Sequence, residues 1–218
     1  MPPAKAGRKA SKSRSAKKNP EVDFTEHTLA SDSVYRGGFF EVRRDAVRRP
    51  DGKPAVREYI RHPGAVMMVP LLDEDTVVLV RQFRYPLRRH FLEVPAGKME
   101  PGEDPLATAK RELIEECGYE AAHWRHLTTL HPCIGYSDER IELYLARELH
   151  HVGAGPDDGE FLEVLPTPID QALRWVRDGR ITEVKAIIGL LWLERIMRSE
   201  SVRRKRPARR GRALRSRP

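Results

Sequence analysis

The chain has only two cysteines, Cys117 and Cys133, in 218 residues. That number cannot support a disulfide framework, and a reduced, cytoplasmic setting follows. No apolar run reaches the roughly 18–20 residues that a membrane span requires, and the basic N-terminus lacks the apolar segment of a signal peptide. The eight histidines fall at no metal-ligand spacing, and His123, His126 and His131 share one strand region and read as structural. Ser137 has no His and Asp setting that would make it a nucleophile. No internal repeat is present. Acids are missing from both ends: residues 1–20 carry seven Lys or Arg and residues 203–218 carry nine. The whole chain is +8, so residues 21–202 hold a net −8. An acidic body argues against a nucleic-acid-binding core and suits a carboxylate-rich site that recruits cations. The basic ends are Lys/Arg/Ala/Ser/Pro segments that cannot bury a core, so they read as disordered tails. They are either solvated tails without a partner or weak tethers to nucleic acid or another polyanion.

What is present is an alternation of strands and helices. Val34-Tyr35, Phe39–Val42 and Arg57–Ile60 flank the turn Arg49-Pro50-Asp51-Gly52 and read as a small antiparallel β unit. Ala65–Leu72 and Thr76–Val80 are dense in Val, Met and Leu and are separated by Asp73-Glu74-Asp75, which predicts buried strands joined by a tight turn. Phe91–Val94, Leu127–Leu130 and Ile141–Ala146 read as further strands. A helix is predicted from Asp104, an N-cap followed by Pro105, to a stop at Gly118, with Leu106, Ala109, Leu113 and Cys117 as its apolar stripe. Two more helices are expected over 168–178 and 183–198, the second burying Val184, Ile187, Ile188 and Leu191. Strands and helices mixed in this order give an α/β fold. The expected organisation is a basic tail (1–20), an N-terminal β subdomain (21–62), a main domain (63–202) and a second tail (203–218).

The informative stretch is Gly97–Tyr119, GKMEPGEDPLATAKRELIEECGY. Glu112 and Glu116 are four apart, so they lie ~40° from each other on one helix face, and Glu115 joins the same side. Three carboxylates on adjacent turns repel each other on a bare helix. A divalent cation reverses that sign, because acidic oxygen clusters suit Mg²⁺ or Mn²⁺. Arg111 can hold one carboxylate through a charge-assisted bond. Taken alone, the cluster also fits an ordinary solvated Glu-rich face.

The whole stretch resembles the Nudix box at Gly97, Glu103, Arg111, Glu112, Glu115, Glu116 and Gly118. At frequencies of roughly 7% each, seven chance matches are on the order of one in a million. The chain therefore resembles Nudix hydrolases over about residues 33–198. It looks most like their ADP-ribose pyrophosphatase branch. The segments Val80–Tyr85, Leu92–Gly97, Arg57-Glu58 with His62–Val66, and Pro132 with Gly135–Glu139 carry that finer likeness. Cys117 in place of a more usual Thr, and the His131-Pro132-Cys133 flank, are departures that touch no implied ligand.

The resemblance implies an α/β/α sandwich with a mixed sheet plus the small antiparallel β subdomain. It implies metal-dependent hydrolysis of ADP-ribose to AMP and ribose 5-phosphate, with Mg²⁺ or Mn²⁺ held by Glu112, Glu116 and the carbonyl of Ala96. Glu115 would be a ligand or its partner, and Glu103 and Arg111 would orient the cluster. Glu139 would be the general base, on a mobile loop able to close over substrate. Arg57, Glu58 and Arg84 would contact substrate, and Phe39, Phe40 or Tyr59 could stack on adenine or simply pack. A homodimer with shared sites is typical of the branch. The box leaves other readings open. Another nucleoside diphosphate sugar or NADH could be the substrate, although the Pro132–Glu139 loop favours ADP-ribose. An RNA-processing role is disfavoured by the acidic body, and a non-catalytic sensor by the intact glutamates.

Overall fold

The computed structural model describes residues 22–153 and 161–205. The basic segments read above as disordered tails lie outside the described residues, except that the last helix continues to Lys205, three residues past the expected domain end. Three strands open the fold: β1 (His27–Arg36), β2 (Glu41–Arg48) and β3 (Pro54–Arg61). They form an antiparallel sheet in that order. The main body follows with β4 (Ala65–Pro70), β5 (Thr76–Arg84), β6 (Arg89–Glu93), β7 (Ala96–Lys98), α1 (Pro105–Cys117), β8 (Tyr119–Leu130), β9 (Ile141–His151), β10 (Leu162–Pro168), α2 (Ile169–Arg177) and α3 (Val184–Lys205). One sheet has the order β7-β4-β9-β8, with β4 and β9 parallel, and another the order β10-β5-β6.

Strand β4 is buried along its whole length, and its side chains divide between two cores. Met67 and Val69 join Leu79, Leu143, Leu190 and Leu193 in a cluster that includes α2 and α3. Val66 and Met68 join Val80, Ala109, Leu113 and Cys117 in a cluster against α1. The period of two in a strand sends alternate residues to opposite faces, and here helices cover both. This is the expected α/β/α sandwich with its antiparallel N-terminal sheet. Each fully buried Leu or Met stabilises it by ~1.5–3 kcal/mol.

Two features depart from the sequence reading. Val184 and Leu191 do not belong to the buried face of α3: they are 47% and 48% exposed. Ala186, Leu190, Leu193 and Ile196 are buried instead, because α3 docks on the side that carries Gly189. A Cβ there would meet Val69 at 2.9 Å, so glycine permits the close approach to β4. Strand β10 is a gain over the sequence reading. Its LEVLPTP run contains two prolines, which a central strand would not tolerate, but it sits at the edge of its sheet beside β5.

Candidate active site

Helix α1 starts and stops where its sequence dictates. The Asp104 side chain accepts hydrogen bonds from the Leu106 and Ala107 N–H groups at 3.0 and 3.1 Å. Gly118, at φ 72°, closes the helix in the left-handed conformation that glycine adopts without strain. The apolar stripe then faces the core, with Ala109, Leu113 and Cys117 buried. Burial pushes the Cys117 thiol pKa up, and the Glu116 charge adds to the effect.

The stripe's flank carries Glu112 and Glu116, which are only 9% and 5% exposed. Both meet strand β7. The Ala96 N–H donates to Glu116 Oε2 at 3.0 Å. A Cβ at Gly97 would fall 1.8 Å from the Glu112 carboxylate carbon, so only glycine allows strand and carboxylate to lie together. Arg111 ties the acidic face in place. It donates to both oxygens of Glu103 at 3.2 and 3.1 Å, to Glu112 Oε1 at 3.0 Å and to Glu115 Oε2 at 2.8 Å. The Arg111 hydrogen bonds hold the Glu103 pKa down to about 2, and Glu103 is the main cause of the raised Arg111 pKa.

Ala96, Gly97, Arg111, Glu112 and Glu116 line a cleft of about 980 Å³. The cleft brings together six of the nine residues expected to act: Arg84, Ala96, Arg111, Glu112, Glu116 and Glu139. Glu115 sits beside it in the grip of Arg111. Arg57 and Glu58 are not part of it. They are exposed on β3, where Arg57 donates to Glu26 at 2.9 Å and Glu58 accepts from Arg44 at 2.8 Å. Phe39 and Phe40 line the cleft from the β1–β2 connection, whereas Tyr59 reaches Asp45 at 3.3 Å.

Glu139 is fastened more firmly than a mobile loop implies. Ile60 N–H donates to Tyr136 O at 2.8 Å, Asp138 N–H to Ile60 O at 3.1 Å and His62 N–H to Asp138 Oδ1 at 2.7 Å. The chain past Glu139 is held too, by Ala65 N–H to Arg140 O at 2.9 Å. The His62 ring lies 4.0 Å from the Glu139 carboxylate. Its Nδ1 accepts from Gly64 N–H at 3.0 Å, so a neutral ring carries its proton on Nε2, towards Glu139.

Sequence reading expected Arg84 at the site but missed Glu93 and Lys185 beside it. Glu93, with no exposure at all, accepts from Arg84 Nε at 2.7 Å and Nη2 at 2.6 Å. Lys185 Nζ stands 3.7 Å from Glu93 and 2.6 Å from Glu183, and lines the cleft. An unpaired carboxylate at that depth would cost several kcal/mol, so these cations make its burial tolerable. The signals were an acid inside an apolar strand, FLEVPAG, and a lysine at the head of an apolar helix, VKAIIGLLWL.

Among the described residues, no three carboxylate, imidazole or thiolate groups converge on a single point. Arg111 draws Glu112 and Glu115 to itself and Ala96 holds Glu116. The donor chemistry nonetheless fits a hard divalent cation: all-oxygen, with two nearly buried carboxylates against a strand that has no room for a Cβ.

An α/β/α sandwich whose cleft is lined both by nearly buried carboxylates of one helix and by Arg84 and Lys185 suits an anionic substrate bound together with a cation. The comparisons narrow this. The NUDIX domain model matches residues 61–185, and the nucleoside diphosphate sugar hydrolase N-terminal domain model matches 26–60. The chain belongs to the Nudix family, whose pyrophosphatases generally need a divalent metal. It is 38% identical over 173 residues to the methanol dehydrogenase activator of Bacillus methanolicus, covering 78% of this chain and 94% of that protein. It is 36% identical over 171 residues to the ADP-ribose pyrophosphatase of Bacillus subtilis (strain 168), covering 78% and 92%. A crystal structure of an ADP compounds hydrolase shares the fold with a TM-score of 0.73 at 22% identity, covering 83% of this chain and 98% of that one.

Proposed function

We propose that the enzyme hydrolyses the diphosphate bond of ADP-ribose, giving AMP and ribose 5-phosphate, with Mg²⁺ as its metal and Mn²⁺ as a substitute. The observation that carries this reading is the cleft itself, which Glu112, Glu116, Ala96, Glu139 and Arg84 line together. The 36% identity with the ADP-ribose pyrophosphatase of B. subtilis supports the choice of substrate. Glu112, Glu116 and the Ala96 carbonyl would hold the metal, which when bound supplies charge neutralisation at the phosphoryl oxygens and a more acidic water. Glu139 accepts a proton from the attacking water. The water oxygen bonds to one phosphorus, and the bridging P–O bond breaks, so that the bridging oxygen leaves on the other phosphate. Arg111 keeps Glu112 and Glu115 in register, and His62 faces the base. Phe39, exposed at the mouth of the cleft, suits stacking on adenine.

A second copy of the chain completes the proposal. Every residue of β1 is exposed, and β1 forms the edge of its sheet with Leu29, Val34 and Tyr35 uncovered. An exposed ten-residue edge strand of mixed polar and apolar residues leaves its backbone N–H and C=O groups open to pairing with a partner. Arg57 and Glu58, away from the cleft of their own chain, would then serve the cleft of the second copy. The two free cysteines fit a reducing cytoplasm, and no described helix is long and apolar enough to cross a membrane.

Chromatography of the products of ADP-ribose, with Mg²⁺ and with EDTA, tests the activity. AMP and ribose 5-phosphate should form only with the metal. Turnover that survives EDTA, or release of free ADP, sinks the assignment.

A further inference from the structure

Among the described residues, Arg84 is bound to Glu93 through one edge of its guanidinium. Nε and Nη2 donate to the two oxygens of Glu93 at 2.7 and 2.6 Å. A guanidinium has five N–H groups in a planar fork, so the Nη1–Nη2 edge keeps three of them for other acceptors. The Arg84 side chain is 41% exposed and lines the cleft, whereas Glu93 is wholly buried behind it. The bond that pins the guanidinium from behind therefore turns its outer edge outwards. Hydrogen bonds from Arg84 to Glu93 are also the main cause of its raised pKa, with the charges of Glu93, Glu116 and Glu183 contributing.

Lys185 extends the same feature. Its ammonium is held at 2.6 Å by Glu183, whose other oxygen accepts from Ala186 N–H at 2.8 Å and so caps the start of α3. The lysine is thus anchored by the helix that carries it, at 3.7 Å from Glu93 and within the lining of the cleft. Of its three donors, Glu183 occupies one and Glu93 lies too far for a full hydrogen bond. Two cations, each held by a carboxylate, line the same cleft as Glu112 and Glu116 of α1.

We infer that the substrate contact expected of Arg84 is part of a larger anion subsite, in which Glu93 positions the Arg84 fork and Lys185 adds a second donor for non-bridging phosphoryl oxygens of a nucleoside diphosphate. The inference deepens the proposed function and rests on its placement of substrate in this cleft. Glu93 touches no substrate; it is a positioning residue. Lys185 and the outer edge of Arg84 make the contacts. The subsite reads the diphosphate and not the sugar, so it serves any nucleoside diphosphate that fits the cleft.

The test uses ADP as probe and the full chain. Calorimetry gives its Kd in EDTA, and again with Ca²⁺, for the parent, Lys185→Met and Glu93→Gln. Each substitution should weaken ADP binding about tenfold, the size expected for one charge-assisted hydrogen bond. With ADP-ribose and Mg²⁺, KM should rise by a similar factor while kcat moves less, a split that general loosening of the fold would not produce. If Glu93→Gln does not fold, Lys185→Met alone decides, because that side chain is partly exposed at the cleft. Unchanged Kd and KM in the folded variants overturn the subsite while leaving the hydrolase reading intact, as would a lowered Tm with unchanged Kd. A parent that binds no ADP in either condition also overturns it. Loss of ADP binding in the variants of a protein that does not cleave ADP-ribose keeps the subsite and removes the activity.

Discussion

Arg111 bonds to three carboxylates at once, and that arrangement explains how the acidic face of α1 folds without metal. Like charges at helical spacings of three and four destabilise a helix by several tenths of a kcal/mol per pair. One guanidinium with five donors offsets this for Glu103, Glu112 and Glu115. Glu116 is served separately, by the Ala96 N–H. Glu116→Gln keeps an oxygen for that N–H and removes a negative charge from a crowded face. The variant should fold with an undiminished Tm and lose turnover by about a hundredfold or more, the scale seen for removal of one preorganised electrostatic group. Steady-state kinetics beside thermal melts decide the matter, and a near-normal rate would place the metal elsewhere.

At the scale of elements, the site is the seam between β7 and α1. Gly97 lets the strand lie against the carboxylate of Glu112. Gly97→Ala puts a methyl where that carboxylate stands, and the carboxylate, as the end of a flexible side chain, can swing aside. The expected result is a large loss of kcat with only a small drop in Tm; equal losses in both would show that the strand, not the carboxylate, had moved. The Glu103–Arg111 bond secures the loop before α1 to the helix itself. Glu103 has its folded pKa depressed to about 2 from 4.5. Its stabilising contribution is therefore complete above pH 4.5 and is lost as pH falls towards 2. Melting temperatures across that window should fall less steeply for Glu103→Gln than for the parent, and parallel curves would contradict the assignment.

At the scale of the molecule, the described residues cover the main domain on both faces but not the N-terminal sheet. β1 is exposed from His27 to Arg36, and the β1–β2 connection reaches into the cleft. A sheet with one uncovered edge is a poor folding unit in water and a good interface. Sedimentation equilibrium at micromolar concentration should return twice the chain mass of 25.0 kDa. Replacing Val34 and Tyr35 together by Asp should shift the species to monomer and lower activity if, as proposed, Arg57 and Glu58 reach the cleft of the second copy. A fully active monomer would rule out shared sites.

Much of the site was legible from the chain because it is local. The spacing of Glu112, Glu115 and Glu116, the cap at Asp104, the stop at Gly118 and the stripe of Ala109, Leu113 and Cys117 all follow from the 3.6-residue period and backbone capping, which act within a few residues. The dense Val, Met and Leu runs of β4 and β5 likewise announced buried strands. Contacts between distant segments were decided only by the tertiary structure. The buried face of α3 was set by where Gly189 meets Val69, and the edge position of β10 by its pairing with β5. The pinning of Arg84 by Glu93, the placement of Lys185 beside them and the absence of Arg57 from its own cleft belong to the same class. A periodic pattern fixes which side of an element is apolar, but the partner that side meets is chosen by packing among segments far apart in the chain.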